Sequence, residues 1–108
     1  MIDDDAQRAR YVILAAKPGV FHTDTGPGTN AVEAYEYLSH GRTRARFVIA
    51  DLGSETRVTI VDEGLPPTSS QIPAKLLKKY ASVDAARREL EQLVKADREH
   101  AALVRVRP

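Results

Sequence analysis

Cysteine is absent from the 108-residue chain, and so is tryptophan. Without thiols there are no disulfides, iron–sulfur clusters, cysteine-ligated zinc sites or thiol nucleophiles. Aromatic residues make up only 6% of the sequence, few for the stacking platforms that read single-stranded nucleic acid. Charge of one sign is missing too. Sixteen Lys plus Arg against 15 Asp plus Glu leave a formal net charge of +1, which argues against a strongly basic nucleic-acid domain and against an acidic tail. The longest apolar run, Tyr11–Ala16, falls far short of the ~20 residues of a membrane helix. The chain opens Met1-Ile2-Asp3-Asp4-Asp5, acidic where a secretory signal is basic. The expectation is a soluble, cytoplasmic protein with no membrane partner.

What is present suits one globular domain over residues 1–108, since 43% of the chain is hydrophobic and 29% charged. Residues 1–9 and roughly 98–108 are expected as flexible ends. Tyr11–Ala16 reads as a strand buried on both faces, hence central in its sheet, stopped by Lys17-Pro18-Gly19. Residues 22–29 are turn formers and read as a loop. Asn30 then offers a helix cap, Glu33 reaches back in a capping-box pattern, and Val32, Tyr35 and Leu38 recur at helical spacing. With Gly41 as C-terminal cap, this predicts a helix over 31–40. Residues 45–52 and 56–62 read as strands joined by a hairpin at Gly53-Ser54-Glu55. Residues 64–70 are a loop by composition, and Pro73 suits the start of a short helix. Ser82 caps a second, amphipathic helix marked by Val83, Ala86, Leu90 and Leu93. Leu103–Arg107 alternates like a strand, but no turn former precedes it, so it reads as a tail. The expected fold is α+β: a small mixed sheet of three or four strands with helices on one face. Its order is β-α-β-β-α, and a fourth strand at the end would give the ferredoxin-like split motif. Strands flanking the first helix would run parallel.

No catalytic constellation is visible. The serines sit in cap, turn and loop contexts, and no Gly-x-Ser-x-Gly elbow occurs. Asp62-Glu63 and Asp51 follow strand ends without a partner base. His22, Asp24, His40 and His100 do not make a metal site at these spacings, and no cofactor is implied.

Three binding readings remain. Tyr37, on the exposed side of the expected first helix, and Leu65 beside Pro66-Pro67 would form an amphipathic contact patch. That makes a non-catalytic accessory or interaction domain the leading expectation, its partner an unidentified protein or a second copy. Alternatively, Gly26, Gly28, Thr29 and Asn30 lead into a helix N-terminus, where with Lys17 they would hold a small anion or nucleotide. No phosphate-binding fingerprint supports that loop: the glycine spacings are wrong and Pro27 removes a donor. The third reading is weak nucleic-acid binding through Arg42, Arg44 and Arg46, the densest basic stretch.

Overall fold

The computed structural model describes residues 10–26, 28–53, 57–96 and 99–108. Among these are seven strands and one α-helix: β1 (Tyr11–Ala16), β2 (Phe21–Thr25), β3 (Asn30–Ser39), β4 (Arg42–Asp51), β5 (Arg57–Asp62), β6 (Thr68–Pro73), α1 (Val83–Lys95) and β7 (Ala101–Val106). A 3-10 turn, Ala74–Leu76, follows Pro73 in place of the expected short helix. The strands form a four-stranded sheet, β1-β4-β3-β7, and a three-stranded sheet, β2-β5-β6. Every pairing is antiparallel. The β-α-β-β-α plan, its single mixed sheet and the ferredoxin-like alternative are therefore wrong.

The expected first helix is strand β3, an inner strand paired on both edges with β4 and β7. Its side chains alternate between the two faces of the sheet with a period of two. Glu33, Tyr35 and Tyr37 stand opposite Ile49, Phe47 and Ala45 on one face, while Ala34 and Glu36 stand opposite Val48 and Arg46 on the other. Gly41 does take a left-handed φ of 76°, as a helix C-cap would, but His40 is left-handed as well at 53°. Two consecutive positive-φ residues between paired Ser39 and Arg42 make the tight two-residue turn of a β-hairpin. One local signal serves two structures, and ladder pairing decides between them.

Other departures share the same cause. β1 lies at a sheet edge, not in the centre. Its apolar run reflects coverage on both faces, and Tyr80 closes its outer edge through reciprocal backbone bonds with Tyr11, 3.2 and 2.8 Å. β4 and β5 form no hairpin, because β4 is flanked by β1 and β3 whereas β5 joins β2 and β6. Ser54 and Glu55 of the expected turn lie outside the described residues. β2 and β6, read as loops, are the polar edge strands of the small sheet. The end of the chain forms β7, registered on β3 from Ala34↔Val106 to Ser39↔Ala101.

α1 forms where expected: the Ser82 hydroxyl accepts from the Ala85 amide at 3.1 Å. The layers are then helix, large sheet, small sheet. Between the sheets pack Val12, Leu14, Ala50, Leu52, Val58 and Ala74. Between helix and large sheet pack Tyr35, Ile49, Ala86 and Leu90. Burial of a Leu or Ile side chain contributes roughly 1.5–3 kcal/mol, so each seam depends on a few residues.

A polar clamp reinforces the helix seam. Glu33 is only 6% exposed. Arg87 on α1 grips its carboxylate with two nitrogens, Nε at 3.1 Å and Nη2 at 2.6 Å. Tyr35 donates its hydroxyl at 2.7 Å, and Arg105 on β7 stands 3.4 Å away. Asp84 steadies Arg87 at 2.6 Å. Arg87 and Tyr35 hold the Glu33 carboxyl below its ordinary range despite its burial.

Candidate functional site

α1 covers only part of the large sheet. Beside its last turns, on the same face, lies a groove of about 380 Å³ lined by Lys17, Tyr37, Arg44, Ala45, Phe47 and Leu93. Tyr37 follows Tyr35 by two residues on β3, so both rings share a face, but the helix buries only the first. Phe47 meets Tyr37 edge to face, with centroids 6.4 Å apart and an interplanar angle of 83°. Leu93, on the last turns of α1, is 45% exposed.

Local backbone irregularities supply the two cations. Tyr37 pairs with Ala45 and Leu38 with Thr43, which leaves Arg44 as the extra residue of a β-bulge. Bulges re-aim a side chain relative to regular alternation. Lys17 follows β1 at the turn into β2, where its amide donates to the Phe21 carbonyl at 2.8 Å and its carbonyl accepts from Val20 and Phe21. Gly19, with φ of 78°, makes that turn possible. Among the described residues, no acid lines the groove. The result is an apolar, aromatic floor between two cations, suited to an apolar group that carries negative charge nearby.

Lys17, Tyr37 and Arg44 were each expected at a different kind of site, yet they share this one. Phe47 and Leu93 read as core in the sequence, and Ala45 carried no signal. Leu65 does not join them. It is 98% exposed in the β5–β6 loop of the small sheet, which packs against the opposite face of the large sheet. The three arginines do not form one patch either. Arg42 is exposed beside the hairpin turn, and Arg44 enters the groove. Arg46 lies on the other face, where its Nη2 donates to the Arg107 carbonyl at 2.9 Å.

The glycine loop precedes a strand, so the helix N-terminus on which its anion reading rested does not exist. The Gly26 carbonyl accepts from the Thr29 amide at 3.1 Å. The Gly28 carbonyl packs against Gly53, and Asn30 starts β3 opposite Asp51. Thr29 and Arg46 do line a second cavity, of about 210 Å³, between the sheets.

Two histidine arrangements complete the polar surface. His22 Nδ1 sits 2.7 Å from Glu63 and Nε2 3.4 Å from Asp24, and the two carboxylates, Glu63 foremost, raise its pKa. His40 stacks on His100 with centroids 4.3 Å apart. Among the described residues no group of three or more His, Asp or Glu is arranged to hold a metal ion. Nor is any helix among them long and apolar enough to cross a membrane. No known protein family matches the chain, and no curated protein or solved structure is significantly similar to it.

Proposed function

We propose that the chain is a non-catalytic interaction module whose groove receives an apolar side chain from an acidic segment of a protein partner. The observation that supports this reading is the convergence of Lys17 and Arg44 on the Tyr37–Phe47 floor, with no acid among the described residues that line it. Aromatic and leucine surface supplies the anchoring energy, and the rim cations select the sign of the partner's flanking charge. Leu93 at 45% exposure gives the anchor an apolar wall that the core leaves uncovered.

The test is fluorescence polarisation with a labelled acidic peptide carrying one central phenylalanine. Controls are its alanine-centred version and a version with lysines replacing the acids. The phenylalanine peptide is expected to bind, the alanine peptide about tenfold more weakly, and the lysine peptide not at all. Lys17→Glu with Arg44→Glu, both exposed positions, should abolish binding without loss of fold. Equal binding of acidic and basic peptides would refute the reading.

A further inference from the structure

We infer that the outer edge of β7 pairs with β7 of a second copy of this chain, antiparallel about a two-fold axis, which joins the two large sheets into one. A sheet edge presents unpaired backbone groups, and proteins guard such edges with proline, charge, bulges or cover. Three of the four edges here are guarded. Tyr80 bonds the outer side of β1 at Tyr11, and the Thr23 hydroxyl donates to the Ala15 carbonyl. β2 carries His22 and Asp24, while β6 is polar apart from Ile72 and ends at Pro73. β7 has none of these devices. Its residues are apolar except Arg105, which leans on Glu33 at 3.4 Å, and its register on β3 runs without a shift. Val104 is 44% exposed, and among the described residues no strand pairs with the outer side of β7.

One bond fixes which backbone groups face outward. The His40 amide donates to the His100 carbonyl at 2.7 Å, and the pairing continues regularly through Leu38↔Ala102, Glu36↔Val104 and Ala34↔Val106. Hydrogen-bonded pairs alternate along an antiparallel ladder, so Ala102, Val104 and Val106 turn their N–H and C=O groups to β3. Ala101, Leu103 and Arg105 turn theirs to the open edge. These three also select the register of the second copy. With Leu103 opposite Leu103, each Arg105 faces an Ala101, and every outward residue exchanges both of its bonds. On the helix face the row Tyr37–Leu103 then continues into Leu103–Tyr37 of the second copy. On the other face Val104 covers Ala102 of the second copy. Just past the strand ends, the same register brings Arg107 to Glu99 of the second copy, at both ends of the pair, so the edge complements itself in charge. Sliding the strands until Arg105 meets Arg105 would oppose like charges instead.

Sedimentation equilibrium of the full chain should show a reversible monomer–dimer equilibrium. Amide exchange should slow at Ala101, Leu103 and Arg105 as concentration rises, whereas Ala102, Val104 and Val106 stay equally protected throughout. Ala101→Pro removes an outward N–H and no bond to β3, so it should weaken the dimer at least about tenfold and leave the monomer folded, while Ala101→Ser keeps the dimer. Glu99→Arg should weaken it as well, and adding Arg107→Glu should restore it. The chain has no cysteine, so a single introduced thiol reports the register. Leu103→Cys should cross-link under mild oxidation, its Cα atoms about 5.5 Å apart across the axis. Val104→Cys should not, because its Cα atoms would lie about 8 Å apart. A monomer at every concentration, exchange at the outward amides that ignores concentration, or cross-linking through Val104→Cys in place of Leu103→Cys would overturn the inference.

Discussion

Replacing Glu33 by Gln keeps the side chain's shape and removes its charge, so it isolates the clamp between α1 and the sheet. The carboxylate is 7% exposed and has three donors within 3.1 Å, two from Arg87 and one from Tyr35. Gln offers one acceptor oxygen, and its amide nitrogen must face a guanidinium or a hydroxyl that also donates. Each hydrogen bond to a charged group contributes about 1.5–3 kcal/mol, but Arg87 is 35% exposed and regains water when released. The expected net cost is about 2 kcal/mol, or a melting temperature roughly 10 °C lower in a domain of this size. Urea unfolding at pH 7 would show a lower midpoint with an unchanged slope. Arg87→Met should cost more, since it leaves the buried carboxylate charged and underpartnered. The pH dependence carries its own sign. Glu33 has its pKa lowered in the fold, so its contribution is complete above the ordinary carboxylate range and is lost as pH falls through the native value. The gap between wild type and Glu33→Gln should therefore shrink in acid. Equal stability at pH 7, or a gap indifferent to pH, would refute the clamp.

Further outcomes follow from single contacts. Leu90→Ala, at a site 2% exposed under α1, should cost about 2–5 kcal/mol by urea unfolding and loosen the helix. Gly53→Ala should destabilise more than Gly41→Ala: both have positive φ, but a Cβ at Gly53 would lie 2.6 Å from the Gly28 carbonyl oxygen, whereas Gly41 faces open space. Paired thermal melts would check this order. His22 has its pKa raised above 6.5 by Glu63 and Asp24, so its contribution is present below that value and is lost as pH rises through the native one. His22→Gln should flatten the stability profile in that window, and melts on either side of it would show whether it does.

Legibility in the sequence tracked how local the information was. α1 was legible because its cap, Ser82, and its apolar stripe all act within one helix. β3 was not, since Val32, Tyr35 and Leu38 mimic a helical period while its partners lie on β4 and β7. Glu33 added to the error: a buried acid on a strand face breaks the apolar alternation, and its partner Arg87 is 54 residues away. β6 reads as a loop because Thr68-Ser69-Ser70 belong to an exposed edge strand that has little apolar surface to bury. Lys17, Tyr37 and Arg44 were each visible as exposed chemistry, but their meeting depends on a bulge and on pairings set by the whole sheet.

The most direct test of the groove is amide chemical-shift mapping of the labelled full chain with the acidic, phenylalanine-centred peptide, at low and high salt. Saturable shifts at Lys17, Tyr37, Arg44–Phe47 and Leu93, weaker in high salt and lost in the Lys17→Glu, Arg44→Glu protein, are expected. Shifts elsewhere, or none in the folded protein, would contradict the assignment of this groove as the interaction site.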